Sequence, residues 1–323
     1  MLKSLNQYLA EQTIPDSLRQ LMTALADACR DIGHTVNASA VAGQQGALDQ
    51  ENVQGEVQKQ LDVIANDIML ETGRWGGQVR ALVSEEMDDL YPVEATGGQA
   101  YLLVFDPIDG SSNVDVNGVV GTIFSVLKAA PDRPATASDV LQPGRDQIAG
   151  GYAIYGPQTT LVLTLGDGVS AFSFDPATGE WLMTVPRMVI PPTTREFAIN
   201  MSNYRHWNPP VRRYIDECVA GTTGPRGADF NMRWLASMVG DVHRILTRGG
   251  IFLYPVDNRK NMGKLRLMYE ANPIAMLIEQ AGGAATDGSQ RILDLQPQAL
   301  HQRIGVVLGS REEVERVAGY HNI

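Results

Sequence analysis

The sequence predicts a layered α/β protein built as two packed lobes, and three observations carry that expectation. Apolar runs of strand length alternate with amphipathic stretches at helical spacing along the chain. The 323 residues exceed the roughly 250–300 over which a single core keeps growing. The composition, 44% hydrophobic and 20% charged with 32 Gly and 17 Pro, is that of an ordinary globular protein, which excludes collagen, coiled coil and wholesale disorder.

The elements follow in order. Leu18, Leu21, Met22, Leu25 and Ile32 recur at helical spacing, with Asp16 or Ser17 placed to cap the start. The Gly-, Gln- and Ala-containing stretch 40–49 reads as a linker. A second helix is predicted from about Val57 to Thr72, with Leu61, Ile64, Ile68 and Met69 on its apolar face, Asp62 on its polar face and Gly73 closing it. Strands are expected at 79–83 and 101–105, each running straight into acidic residues, and then at 118–127, 151–154, 160–165 and 169–174, with a turn at 175–179. After Pro191-Pro192 the pattern changes. Helices at 210–219, 233–247 and 273–281 alternate with short strands at 250–254, 284–286 and 305–308. Asn272 as N-cap, Pro273 as first residue and Gly282 beyond the end announce the last of these helices. The boundary between lobes is placed near Pro191, giving 1–190 and 191–323.

The net charge is −11, from 26 Lys and Arg against 37 Asp and Glu. Such a chain repels nucleic acid and anionic lipid, so neither nucleic acid nor a membrane is an expected partner. It also repels an anionic metabolite, unless metal ions or a local cluster of Lys and Arg reverse the field. Cys29 and Cys218 are too few for a disulfide framework or a zinc site and read as small buried hydrophobes. No apolar run has the length of a membrane span, and residues 1–9 lack the apolar segment of a signal peptide. A soluble protein of a reducing compartment, the cytoplasm, is expected.

Acids placed directly after runs that demand burial are the chemical signal. Glu85-Glu86-Met87-Asp88-Asp89 taken alone is an ordinary solvated loop. The second segment shifts the balance, because Pro107 pushes Asp106 into an extended conformation and Asp109-Gly110 makes a tight turn. If the two strands are neighbours, Glu85, Asp106 and Asp109 meet. Three carboxylates at that separation stay ionised only around a cation, and oxygen ligands without His or Cys point to Mg²⁺ or Mn²⁺. Gly110-Ser111-Ser112-Asn113 then offers successive backbone N–H groups and two hydroxyls, a cradle for phosphate. Metal beside phosphate means phosphoryl chemistry. No Walker-type Gly-x-x-x-x-Gly-Lys segment supports nucleotide hydrolysis.

Asp106-Pro107-Ile108-Asp109-Gly110-Ser111-Ser112-Asn113 resembles the metal and phosphate motif of the lithium-sensitive sugar phosphatase superfamily. The chain as a whole, from about residue 16 to about residue 310, more closely resembles the class I fructose-1,6-bisphosphatase family. The segments that carry this are 55–70, 82–86, 105–124, 141–156, 200–204, 233–255 and 264–286. Lys264-Leu265-Arg266-Leu267-Met268-Tyr269-Glu270 discriminates, because inositol phosphatases lack it. The resemblance implies an α-β-α-β-α sandwich and hydrolysis of the 1-phosphate of fructose 1,6-bisphosphate in gluconeogenesis. It also implies that Glu85, Asp106, Asp109, Glu270 and the carbonyl of Ile108 hold the metals, with Glu56 near a third. Asp62 and Glu86 would orient and deprotonate the attacking water. Asp109, Gly110, Ser111 and Ser112 would cradle the 1-phosphate. Asn200, Tyr204, Tyr254 and Lys264, with Arg266 nearby, would grip the sugar and the 6-phosphate. The family arginine matching Arg233 reaches in from a neighbouring subunit of a homotetramer. Arg233 and Lys264 would then supply the local positive spot that a chain of this charge needs. A broader sugar bisphosphatase, also taking sedoheptulose 1,7-bisphosphate, is the alternative.

The chain departs from that pattern in three respects. Trp234 stands where many relatives carry a tyrosine on the 6-phosphate, and indole offers only an N–H donor. The family Asn-Glu-Gly segment reads Asn200-Met201-Ser202-Asn203-Tyr204. The places that bind AMP in inhibited relatives read Ile14-Pro15-Asp16-Ser17 and Ala100-Tyr101, so weak or different AMP binding is expected. His243 is read as a helix-packing or hydrogen-bonded core histidine.

Overall fold

The N-terminal apolar runs assemble into one sheet of eight strands: β1 (Val79–Ser84), β2 (Tyr91–Pro92), β3 (Tyr101–Asp109), β4 (Val120–Lys128), β5 (Ala149–Tyr155), β6 (Thr159–Thr164), β7 (Val169–Asp175) and β8 (Glu180–Val185). The computed structural model describes residues 2–44, 47–51, 57–94, 100–130, 133–259 and 261–321. The strands lie in the order β8-β7-β6-β5-β4-β3-β1-β2, and β1 and β3 are the parallel pair. A smaller sheet follows, with β9 (Glu196–Ala198), β10 (Asn231–Met232), β11 (Ile251–Tyr254), β12 (Ala284–Thr286) and β13 (Val306–Gly309) in the order β10-β9-β11-β13-β12.

Helices α1 (Leu5–Glu11), α2 (Asp16–Ala38), α3 (Gln60–Leu70), α4 (Pro209–Val219), α5 (Met238–Arg248), α6 (Asn272–Gln280) and α7 (Arg311–His321) fill the layers between and outside the sheets. Leu21, Met22, Leu61 and Met69 pack on Phe105 and Phe124 at one face of the large sheet. Ile123, Tyr152 and Val162 on its other face meet Val239, Val242, Ile274 and Leu277, which also reach Phe252 and Leu308 of the small sheet. Phe197, Ile251, Leu253 and Val307 on the far face are covered by Val211, Ile215, Val314 and Val317. The α-β-α-β-α layering thus stands. Cover on both faces explains why β3 is buried along its whole length and reads as an unbroken apolar run.

Several boundaries differ from expectation, each for a local reason. The helix expected over 233–247 begins only at Met238. Arg233 continues the sheet edge, its N–H donating to Phe197 O at 2.8 Å, and Ala236 turns left-handed at φ 59°. Ser237 then caps α5 by accepting the Gly240 N–H. Asn272 is no cap either. A π turn, Leu267–Ala271, runs straight into α6, and the Asn272 N–H donates to Leu267 O. Pro273 has no N–H to return to Tyr269 O, and the wider turn accommodates that gap. Neither Asp16 nor Ser17 caps α2, whose cap position is Pro15; the Ser17 hydroxyl instead bonds the Tyr101 hydroxyl at 3.1 Å. The end of the expected linker enters a short ribbon in which Ala47–Glu51 pairs with Val57–Lys59, while residues 45–46 lie outside the described residues.

Candidate active site

The register of β1 against β3 decides where the site lies. Ser84 pairs with Phe105, so Glu85, just past the end of β1, comes beside Asp106 of β3. The Glu85 N–H donates to Phe105 O at 3.2 Å. The β3–β4 register shifts between Asp106 and Asp109, and within that irregularity Asp106 Oδ1 accepts the Ile108 N–H at 3.0 Å. Asp109 Oδ2 accepts the Ser237 hydroxyl at 3.0 Å and the Val239 N–H at 2.9 Å, so the first turn of α5 faces a carboxylate. Glu270 projects from the π turn and accepts the backbone N–H of Arg266.

Asp106, Asp109 and Glu270 are buried, and each puts an oxygen within 4.8 Å of the others'. Burial pushes the Asp106 carboxyl well above its usual range, and the charges of Glu85, Asp109 and Glu270 add to the rise. Burial also raises Glu270, to about 8, with Glu85 contributing. Asp109 is raised by burial against the opposing pull of Val239 N–H and the Ser237 hydroxyl. Such a group is satisfied by protons or by a cation, and an all-oxygen donor set fits a hard divalent ion. Glu85 lines the same cavity but stands outside the trio. Its Oε1 lies 2.8 Å from Nη2 of buried Arg266, whose Nη1 is 4.0 Å from Glu270.

The turn expected to cradle phosphate lies just beyond Asp109. Gly110 is left-handed at φ 78°, and a Cβ there would sit 2.8 Å from Ser237 Cβ. A 3-10 turn, Ser111–Val116, starts directly after it. The first N–H groups of such a turn receive no bond from the turn itself. Asn113 Nδ2 donates to Leu235 O at 3.1 Å, tying cradle to the loop before α5.

Asp62 is expected on a polar helix face, yet it is buried and points into this cavity. Its Oδ2 accepts the Lys59 N–H at 2.9 Å, while Oδ1 is buried without a hydrogen bond. Burial raises its pKa to about 7, with Glu86 and Glu85 adding repulsion. The cavity measures about 330 Å³ and is lined besides the acids by Asn200, Trp234, Ser237, Tyr254 and Lys264. Trp234 stacks on Phe252 at 5.8 Å between centroids. A second cavity of about 340 Å³ shares Asn200, Tyr254 and Lys264 and runs on to Asn203, His206, Arg259 and Arg303.

Of the residues expected at the site, Asp62, Glu85, Glu86, Asp106, Ile108, Asp109, Gly110, Ser111, Ser112, Asn200, Tyr254, Lys264, Arg266 and Glu270 all line the first cavity. Tyr204 lines neither; its hydroxyl donates to Asp216 Oδ1 at 2.8 Å, and Asn203 takes the wall. In a 3-10 turn, here Met201–His206, neighbouring residues point about a third of a revolution apart, so only one of the two can face inward. Arg233 lines neither cavity: it is half exposed, with Nε 3.7 Å from Glu196 Oε1. Glu56 lies outside the described residues. His243 is partly buried on α5, with Nδ1 2.9 Å from the Tyr152 hydroxyl. Sequence reasoning missed Ser237, whose only signal is its place before the apolar Met238-Val239 pair.

A model of the fructose-1-6-bisphosphatase N-terminal domain matches residues 3–186, and one of the C-terminal domain matches residues 190–322. The chain belongs to the fructose-1,6-bisphosphatase family. Solved structures agree. The holo form of Leishmania major fructose-1,6-bisphosphatase superposes with a TM-score of 0.93 at 36% identity, each chain covered in full. The apo form of that enzyme gives 0.87 at 34%, again over all of both chains. Its T-state gives 0.88 at 35%, covering 100% of this chain and 99% of that one. Like other members of the fructose-1,6-bisphosphatase family, the chain is an enzyme. No helix among the described residues is long and apolar enough to cross a membrane.

Proposed function

We propose that the chain hydrolyses the 1-phosphate of fructose 1,6-bisphosphate, giving fructose 6-phosphate and phosphate, with Mg²⁺ or Mn²⁺ held by Asp106, Asp109, Glu270 and Glu85. The observation that carries this reading is the buried carboxylate trio standing beside the Gly110–Ser112 turn inside one cavity. Bound there, the metal supplies charge neutralisation and acidifies water. The chain's own residues do the rest by positioning and electrostatics, since phosphoryl transfer leaves little covalent work to a protein. The N–H groups at the start of the Ser111–Val116 turn and the two serine hydroxyls donate to the phosphate oxygens. Asp62, with a pKa near neutrality and a free Oδ1, takes the proton of the attacking water, and Glu86 orients it.

The remote phosphate falls to the second cavity, where Lys264 and Arg303 bring positive charge and Arg259 stands paired with Asp257. Binding energy realised there holds the reacting end in line. In this reading residues 1–190 carry the 1-phosphate and the metal, apart from the ligand Glu270, and residues 191–323 complete the sugar and 6-phosphate site. Family membership supports a homotetramer working in the cytoplasm, in gluconeogenesis. Phosphate release from fructose 1,6-bisphosphate, with and without Mg²⁺ and with added Li⁺, tests the proposal. Release that needs Mg²⁺ supports it, and equal release without any divalent cation overturns it.

A further inference from the structure

The Glu85–Asp89 loop carries two residues of the proposed chemistry, and its two ends are held differently. At its start, Ser84 Oγ donates to Asn66 Oδ1 at 2.6 Å and accepts the Glu86 N–H at 3.2 Å, both within the N-terminal half. At its far end the partner comes from the other half of the chain. Asp88 O lies 3.2 Å from His301 Nε2, and His301 Nδ1 lies 2.9 Å from the Tyr269 hydroxyl. A carbonyl only accepts, so Nε2 carries the ring proton and Nδ1 accepts the phenol O–H. The Tyr269 and His301 rings also meet edge-on at 5.8 Å.

His301 is itself fixed to the segment that carries Arg266 and Glu270. Leu267 N–H donates to Gln302 O at 2.7 Å, and Leu265 and Arg266 pair antiparallel with Ile304 and Arg303. Tyr269 is fully buried and immediately precedes Glu270. The Tyr269–His301–Asp88 chain therefore spans from the π turn to the loop of Glu85 and Glu86. We propose that His301 is a positioning residue that sets the separation between Glu85–Glu86 and Glu270, and through it the affinity of the acid cluster for a divalent cation. This rests on the reading of that cluster as a metal site. Groups that orient metal ligands from behind are worth about ten- to a hundredfold in metal affinity, and a bridge one bond further out belongs at the lower end.

The test is Mn²⁺ binding to the full-length, metal-stripped protein, followed by electron paramagnetic resonance, for wild type, His301→Ala, His301→Gln and Tyr269→Phe. Thermal melts and the KM for fructose 1,6-bisphosphate at saturating Mn²⁺ are measured alongside. The expected result is Mn²⁺ affinity weakened roughly tenfold in His301→Ala and about threefold in Tyr269→Phe, with KM within twofold of wild type. His301→Gln, whose amide reaches Asp88 O as Nε2 does, should recover most of the affinity. A His301→Ala protein that melts lower but binds Mn²⁺ as wild type does would overturn the proposal, leaving His301 a packing residue. A wild type that binds no Mn²⁺ would instead sink the metal reading, and the bridge with it.

Discussion

Glu85 and Asp106 stand at the same level of two parallel strands because Ser84 is the register partner of Phe105. A shift of one residue would send one of the two carboxylates to the opposite face of the sheet. Glu85→Gln keeps the shape and removes the charge that both Arg266 and a bound cation see. Mg²⁺-dependent phosphate release should fall by at least a hundredfold, with far-ultraviolet circular dichroism unchanged. A variant that keeps Mg²⁺-dependent turnover would remove Glu85 from the site.

Asp62 makes a different prediction, since the task proposed for it exists only along the reaction path. Asp62→Asn should lower kcat by roughly a hundred- to ten-thousandfold while KM changes little. The pKa near 7 sets the pH profile. Wild-type kcat/KM should fall below about pH 7 as Asp62 takes up a proton, and that acidic limb should disappear in Asp62→Asn. A limb that persists unchanged in the variant assigns the base to another group.

The same burial bears on stability. Asp62 is raised from 3.8 to about 7 and Glu270 from 4.5 to about 8, so the folded protein holds these protons more tightly than the unfolded chain. The stability they contribute is complete below the ordinary carboxylate values and is lost as pH rises through the folded ones. Metal-stripped protein should therefore melt several degrees lower at pH 8 than at pH 5.5. Added Mg²⁺ should raise the melting temperature most at pH 8, through mass action on the folded state. A melting temperature that climbs with pH in the absence of metal contradicts this balance.

The acid cluster was legible because its two main segments are short in sequence and each follows an apolar run that can only be a buried strand. What sequence periodicity does not carry is direction at irregular backbone. Tyr204 against Asn203 is decided within one 3-10 turn, and the start of α5 by the left-handed Ala236. Asp62 was assigned to a polar face because charge patterning reports solvent and a buried acid cluster equally. α1 and α7 were missed although Ser4 with Gln7, and Ser310 with Glu313, stand at capping-box spacing. Both helices lack the long apolar stripe that periodicity detects.

Gly110 is where backbone conformation and chemistry meet. A side chain there would carry the left-handed penalty of about 1–2 kcal/mol and would press on Ser237, whose hydroxyl holds Asp109. Gly110→Ala should lower stability by at least that amount in denaturant titration. It should cost far more in kcat/KM than that loss of stability explains, because the cradle and Asp109 move together. Full activity in a folded Gly110→Ala protein would separate the turn from phosphate binding.

Arg233 offers the sharpest test of assembly. Its side chain is half exposed, lies along Glu196 and lines neither cavity of its own chain. If it serves the remote phosphate, it does so in a neighbouring copy. Arg233→Ala should then raise KM roughly tenfold or more, the cost of losing a charged hydrogen bond, with kcat nearly kept. Mixing it with inactive Glu85→Gln protein under conditions of subunit exchange builds hybrid sites. Such a site takes its acids from the Arg233→Ala chain and its arginine from the Glu85→Gln chain. At substrate concentrations well below the raised KM, the mixture should exceed the sum of its separate activities. A mixture that merely averages the two would place Arg233 outside the substrate's reach.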